Sequence, residues 1–162
     1  MKEIIITKTA KETEKIANRF SRRILKSSVF AQATAGKKQA VIVGLTGDLG
    51  SGKTVFAKGF AKGFGIKEIV VSPTFVLERI YRLKSKSFKL FIHIDAYRIR
   101  KAKELVDLGF KDLAADSRNI ILIEWADRVK KILPKNHIEI KFEHISNSKR
   151  KITIRHLSDR AQ

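Results

Sequence analysis

Hydrophobic and polar positions recur along the chain with two periods, and together they predict a mixed α/β fold. Near the N-terminus, the β-branched run Glu3–Thr7 predicts a short strand. Thr9 and Glu12 then have the spacing of a capping box, which predicts a helix that continues to about Lys26. The face of this helix that is expected to pack on the core consists of Thr13, Ile16, Ala17, Phe20 and Ile24. Residues 27–38 are expected to form a loop or a frayed extension of this helix.

Continuous apolar runs predict two buried strands, at Ala40–Leu45 and at Asn119–Glu124. Alternating segments predict two antiparallel hairpins, Val76–Leu83 with Ser87–Asp95 and His137–His144 with Lys151–His156. Helical segments are expected at Val55–Phe64, Ala102–Leu108, Phe110–Ala115 and Ala126–Ile132. The prediction is therefore an α/β domain with a mixed sheet, parallel near its centre and antiparallel elsewhere.

A phosphate-loop signature lies between the first buried strand and the helix that follows it. The motif G-x-x-x-x-G-K-[ST] is matched by Gly47, Asp48, Leu49, Gly50, Ser51, Gly52, Lys53 and Thr54. Its glycines let backbone N–H groups turn toward phosphate oxygens at the positive end of a helix. Lys53 is expected to contact the β- and γ-phosphates, and the Thr54 hydroxyl is expected to ligate Mg²⁺. The segment therefore predicts a nucleotide site.

Two apolar strands end in an acidic residue, and each acid is a candidate for the Mg²⁺ site. Asp95 ends the strand that also carries His93 on the same face, and Glu124 ends the strand that begins at Asn119. Open α/β sheets place their ligands at the carboxyl ends of strands. Because Mg²⁺ takes few carboxylates beside phosphate and water oxygens, one acid could bind the metal while the other positions water. The sequence does not order the two.

The composition excludes several classes of protein and indicates no particular reaction. A chain of 162 residues can form one domain with a substantial core. Because cysteine is absent, disulfides and thiolate metal sites are excluded. No apolar run approaches the roughly 20 residues that span a bilayer, and Met1–Ile6 is too short and acidic for a signal peptide. A cytoplasmic protein that does not contact membranes is expected.

The net charge is the most unusual global property, since 35 lysines and arginines against 16 acids give +19. An anionic partner such as RNA would explain it, and so would compositional bias. The basic residues are spread along the whole chain, and no aromatic-rich RNA-stacking motif accompanies them. Bias is the favoured origin.

Four motifs together resemble those of the TsaE (YjeE) family. In order and spacing they are Gly47–Thr54, Ser72–Phe75 (SPTF), His93–Arg98 (HIDAYR) and Glu124–Trp125. The resemblance runs from Glu12 to Arg150, and the chain departs from the family mainly in its charge. It implies a three-layer P-loop ATPase domain over residues 1–162, with ATP and Mg²⁺ as cofactors. It further implies a role in making threonylcarbamoyladenosine at position 37 of tRNA. The expected partner is the TsaD–TsaB complex, with tRNA contacted directly or through that complex.

The same resemblance implies roles for individual residues. Thr54 and Glu124 would hold Mg²⁺, and Asp95 would act at the water or the metal. Thr74 would belong to a loop that senses the γ-phosphate. Beside the eight residues of the phosphate loop, two further nucleotide contacts are implied, Thr13 near the adenine and the late basic residue Arg150.

Other functions remain open at this point. A small-molecule kinase is the first alternative, because Tyr97–Lys103 could form a basic lid over transferred phosphates. A GTPase is disfavoured by the absence of an Asn-Lys-x-Asp motif, and an RNA-binding module without catalysis would leave Asp95 and Glu124 unused. With Arg98 as the one internal candidate for an arginine finger, the isolated protein is expected to be a weak ATPase that a partner activates.

Overall fold

The computed structural model describes residues 2–26, 39–67 and 77–156. Seven strands in this part of the chain form one sheet. They are β1 (Lys2–Thr7), β2 (Val41–Thr46), β3 (Glu78–Arg82), β4 (Leu90–Asp95), β5 (Asn119–Glu124), β6 (Ile138–His144) and β7 (Arg150–His156). The described helices are α1 (Ala10–Lys26), α2 (Lys53–Gly63), α3 (Ala102–Asp107), α4 (Phe110–Ala115) and a 3₁₀ helix (Ala126–Ile132).

The sheet is parallel in its middle and antiparallel at both edges. Its strand order is β1-β7-β6-β2-β5-β4-β3. The neighbours β6, β2, β5 and β4 pair in parallel, whereas β1, β7 and β3 pair antiparallel with their neighbours. The predicted mixed sheet and both predicted hairpins are thereby confirmed. This order puts the carboxyl ends of β2, β5 and β4 side by side at one edge of the sheet, where such folds bind ligands.

Two apolar clusters cover the two faces of the sheet and make the fold three-layered. On one face, α1 and α2 pack through aromatic side chains that include Phe20, Phe56 and Phe60. On the other face, α3, α4 and the 3₁₀ helix cover Ile92 and Ile121 together with their neighbours. The predicted α/β class with a three-layer P-loop-like arrangement is therefore confirmed.

The two helices on the first face approach closely because small residues line their contact. A Cβ added at Gly59 of α2 would lie 2.3 Å from the carbonyl oxygen of Glu14 in α1.

The start of α1 follows the capping prediction, since the Thr9 hydroxyl accepts the Glu12 N–H at 3.1 Å. The Glu12 carboxylate accepts the N–H of Lys8, one residue before the expected partner, at 2.7 Å.

The second strand of the β3–β4 hairpin begins later than the pattern predicts. Strand β4 starts at Leu90, whereas alternation placed its start at Ser87. The Ser85 hydroxyl accepts the N–H groups of Ser87 and Phe88, and the N–H of Lys89 is donated to a carbonyl beyond the hairpin. These donors are therefore unavailable to the ladder with β3.

Three predictions fall wholly or partly on residues outside the described part of the chain. They are the loop at 27–38, the first residue of the predicted strand Val76–Leu83, and the SPTF motif with Thr74. Among the described helices, none combines the length and apolar character that crossing a membrane requires.

Candidate functional site

The phosphate loop follows β2 and ends where α2 begins. Its glycines Gly47, Gly50 and Gly52 all have positive φ values. At Gly47, φ is +134°, and an added Cβ would lie 2.4 Å from the carbonyl oxygen of Phe142 in β6. A side chain there would therefore be strained and would clash with the backbone of the neighbouring strand. Glycine at this position therefore allows the tight turn that the sequence motif predicts.

Lys53, the first residue of α2, folds back over this loop. Its ammonium group donates hydrogen bonds to the carbonyl oxygens of Gly47 (2.6 Å) and Asp48 (2.8 Å). Burial lowers the pKa of Lys53 from its ordinary value, and the carboxylates of Glu124, Asp127, Asp48 and Asp95 oppose that shift. A buried cation whose hydrogen bonds go to neutral groups is suited to exchanging them for bonds to phosphate oxygens.

Glu124, at the carboxyl end of β5, uses both of its carboxylate oxygens. One oxygen accepts a hydrogen bond from the Thr54 hydroxyl at 2.8 Å. The other lies 2.9 Å from Nε2 of His93, whose side chain is completely buried. Glu124 itself is only 1% exposed. The phosphate-loop hydroxyl and this carboxylate therefore form a preassembled pair of hard oxygen ligands.

Asp95 ends β4 and pairs directly with Glu124 in the parallel register of β4 and β5. Its side chain is 5% exposed, and its Oδ1 accepts the N–H of Tyr97 at 2.9 Å. The two acids that the sequence singled out thus lie next to each other, at the edge of the sheet where ligands are expected to bind. The structure distinguishes them, because the hydrogen bond from Thr54 goes to Glu124.

Aromatic side chains form one wall of the site. The ring of Trp125 lies over the Lys53 ammonium, with 3.9 Å between the nitrogen and the ring centroid. Trp125 has φ +59° and is the only non-glycine residue with positive φ in the described part of the chain. This conformation turns the chain out of β5 at the start of the 3₁₀ helix. The Tyr97 ring packs against Trp125, and the Arg128 guanidinium lies over both rings.

A cavity of about 400 Å³ joins these elements. Its lining residues are Leu49, Gly50, Gly52, Lys53, Thr54, Val55, Asp95, Tyr97, Glu124 and Trp125. This volume is within the usual range of small-molecule sites. The cavity brings together most of the phosphate loop and both candidate acids.

The other predicted contacts lie at the periphery or outside the described residues. Arg150 is next to the phosphate loop, with its guanidinium 3.4 Å from the Gly50 carbonyl oxygen. Thr13 is buried and shares a hydrogen bond of 2.9 Å with Thr7, and it is not among the residues that line the cavity. Thr74 lies outside the described residues.

The sequence pattern predicts no hydrogen-bond partner for His93. The available signal was its position two residues before Asp95, which puts both side chains on one face of β4. Its contact with Glu124 depends on β4 and β5 being neighbours in the sheet, and the alternating pattern does not reveal that order.

The residues present fit a magnesium ion bound together with a nucleotide. No group of three or more His, Cys, Asp or Glu side chains in the described segments could hold a metal by itself. Magnesium, however, is usually bound by one or two protein oxygens, with phosphates and water completing its octahedron. Thr54 and Glu124 supply oxygen ligands of that kind at the end of the phosphate loop.

Comparison with known proteins agrees with the geometry. The model of the family "Threonylcarbamoyl adenosine biosynthesis protein TsaE" matches residues 7–152. The TsaE protein of Rickettsia typhi is 41% identical over 115 residues, which cover 70% of this chain and 76% of that protein. The TsaE protein of Bacillus subtilis is 35% identical over 135 residues, covering 83% and 82% of the two chains.

A solved structure shares the fold. The crystal structure of Bacillus subtilis YdiB superposes with a TM-score of 0.70 at 26% sequence identity, covering 99% of this chain and 88% of that one. The family match spans nearly every described element, from the end of β1 to the middle of β7. The chain therefore belongs to the TsaE family of tRNA threonylcarbamoyladenosine biosynthesis proteins.

Proposed function

We propose that this protein is a Mg²⁺-dependent ATPase whose nucleotide cycle serves threonylcarbamoyladenosine formation on tRNA, in association with the TsaD–TsaB complex. The observation that carries the proposal is the direct hydrogen bond between the phosphate-loop Thr54 and Glu124, beside Asp95 in one cavity. A binding module would need the loop alone. Phosphoryl transfer to water requires more, and this site brings together a hydroxyl, two carboxylates and a buried lysine.

In this proposal, nucleotide binding begins at the loop and at Lys53. The backbone N–H groups at the start of α2 and the Lys53 ammonium hold the β- and γ-phosphates. Lys53 exchanges its bonds to the carbonyls of Gly47 and Asp48 for bonds to phosphate oxygens. Because Trp125 covers that ammonium, its ring is expected to sense the exchange.

Thr54 and Glu124 would hold Mg²⁺, which would neutralise charge on the phosphates. Asp95, which pairs with Glu124 in the register of β4 and β5 and accepts the N–H of Tyr97, is assigned to orienting the attacking water. A carboxylate in that position can also accept the water's proton. The two acids that the sequence left unordered are thus given separate roles.

Arginine does not occur among the described residues that line the cavity. An arginine supplied by a partner raises phosphoryl transfer by about 10³–10⁵-fold in related loops. We therefore expect slow turnover by the isolated protein and faster turnover with the TsaD–TsaB complex. This role implies a cytoplasmic location. We expect tRNA to be contacted through the complex or directly.

The kinase alternative receives no support from the described geometry of its basic segment. The carboxylate of Glu104 accepts the N–H groups of Arg100 and Lys101, which lie directly before α3 and cap its start. Lys103 forms an ion pair of 3.0 Å with Asp107 one turn further along. Residues 100–103 therefore form the start of a helix and have their own internal partners, whereas Tyr97 lines the cavity.

Phosphate release from Mg²⁺-ATP, measured without any acceptor, tests the proposed function. The wild-type protein is expected to release phosphate slowly and Lys53→Ala to release none, because the charge placed on the phosphates is lost. Lys58→Ala in the same helix is the matched control and should behave as wild type. Release that requires a small hydroxylated acceptor would contradict the proposal in favour of a kinase.

A further inference from the structure

His93 is a buried polar side chain to which the proposed function gives no role. It lies in β4 with no exposed side-chain surface, and its ring stacks on that of Phe91 at an interplanar angle of 11°. Its Nε2 is 2.9 Å from Glu124 Oε1. A buried histidine at the end of a core strand needs an explanation, because burying an imidazole costs more than burying an aliphatic side chain.

The hydrogen-bond pattern identifies His93 as the donor. An ionised carboxylate can only accept, so Nε2 carries the proton that points at Glu124. Nδ1 of the same ring has no hydrogen-bond partner among the described residues. A ring with its proton on Nε2 leaves Nδ1 as an acceptor, and a buried acceptor is more often unpaired than a buried donor. The tautomer is thus assigned from the network.

Two donors on opposite sides fix the Glu124 carboxylate. Thr54 belongs to the phosphate loop and holds one oxygen, and His93 belongs to the sheet and holds the other. The Thr54 hydroxyl is shared with the expected cation, whereas the His93 donor is not. When the loop adjusts to a nucleotide, the bond from His93 is therefore the constraint that keeps the carboxylate plane in place.

We propose that His93 is a positioning residue for Glu124: its Nε2–H orients the carboxylate so that the oxygen beside Thr54 faces the Mg²⁺ of a bound nucleotide. This inference rests on the proposed function. It also explains why a histidine stands where an aliphatic residue would pack as well. Outer-shell partners of this kind typically change metal affinity or activity by about 10- to 100-fold when they are removed.

The test measures how strongly Mg²⁺ and ATP bind together, so it has a readout other than activity. For each variant, the dissociation constant of ATP is determined by titration calorimetry in EDTA and again in excess Mg²⁺. The ratio of the two constants is the coupling between metal and nucleotide. Thermal unfolding of the same samples reports on packing.

Three variants separate hydrogen bonding from packing. His93→Leu removes the donor and keeps an apolar side chain of similar size. His93→Gln restores an amide N–H near the position of Nε2. Phe91→Leu removes the ring under His93 without touching the bond to Glu124, and serves as the matched control.

We expect His93→Leu to lower the coupling ratio at least about 10-fold. Its ATP affinity in EDTA should stay within about twofold of wild type, because the loop and Lys53 are intact. His93→Gln should recover most of the ratio, and Phe91→Leu should lower the melting temperature while leaving the ratio unchanged.

Different outcomes overturn different statements. An unchanged ratio in His93→Leu, or equal losses in His93→Leu and His93→Gln, would show that His93 only fills space and would refute this inference alone. A wild-type protein whose ATP affinity does not respond to Mg²⁺ would refute the metal site, and the proposed function with it.

Discussion

Replacing each of the two adjacent acids by its amide is the sharpest test of their separate roles. Glu124→Gln and Asp95→Asn remove one negative charge each at neighbouring positions of the sheet, and both side chains are buried in the wild type. The phosphate-loop hydroxyl donates its hydrogen bond to Glu124. Both amides keep an oxygen acceptor and nearly the same volume, so the fold should persist in both variants.

The order of magnitude of the expected loss follows from Coulomb's law. At an effective dielectric constant of about 20, two unit charges ~4 Å apart interact with about 4 kcal/mol. Glu124 is already removed from water before any cation binds, since it is 1% exposed, so little further desolvation offsets this attraction. If half of that energy is expressed as coupling between Mg²⁺ and ATP, Glu124→Gln should lose about 2 kcal/mol of it. The ratio of the two ATP dissociation constants should then fall roughly 30-fold.

Asp95→Asn should instead retain the coupling and lose turnover, because its expected role concerns water. The assay pairs calorimetric ATP titrations, with and without Mg²⁺, with single-turnover phosphate release. Equal coupling losses in the two variants would refute the assignment of separate roles. A coupling loss confined to Asp95→Asn would exchange the roles of the two acids.

The remaining predictions concern the loop, the helix contact and one half-buried acid. Lys53→Ala should weaken ATP binding at least about 100-fold by calorimetry, and wild-type ATP affinity in that variant would refute the phosphate-loop interpretation. The fluorescence of Trp125, the only tryptophan, should change on Mg²⁺-ATP binding, since its ring lies on the Lys53 ammonium; an unchanged spectrum at saturation would contradict this. Gly59→Ala should destabilise the fold by about 1–3 kcal/mol in urea unfolding, because the new methyl group meets the Glu14 carbonyl; a gain in stability would refute the clash. Burial raises the pKa of Glu78 above its ordinary 4.5, so the folded state holds the proton to a higher pH than the unfolded state does. Stability should therefore fall as the pH rises from 4.5 through the folded-state pKa. Glu78→Gln should flatten this fall in thermal melts at pH 4.5 and 7.

The centre of the fold could be predicted from the sequence because local patterns determine it. The apolar run before Gly47 and the helix after it have little choice of conformation, and the glycine spacing fixes the turn between them. The same holds for the two acids, since strands that run in parallel end at one edge. That both acids reach this edge could be predicted without knowing which strands are neighbours, whereas their direct pairing depends on β4 lying beside β5.

The remainder depends on long-range order that no local pattern contains. The contact between His93 and Glu124 requires β4 beside β5, and the late start of β4 results from hydrogen bonds of Phe88 and Lys89 to groups outside the ladder. The left-handed backbone at Trp125 is likewise invisible in the sequence, because side chains other than glycine rarely adopt it.

In the proposed function, the ATPase site of this TsaE-family protein works through a partner complex. The most direct measurement is the rate of phosphate release by this protein alone and then with the TsaD and TsaB homologues of its own organism and tRNA. Moderate salt is needed throughout, because screening would weaken association of a protein with a net charge of +19. We expect slow release by the protein alone, a large increase with the complex, and no increase for Glu124→Gln. Fast release that the complex leaves unchanged, or that a small hydroxylated acceptor increases instead, would contradict it.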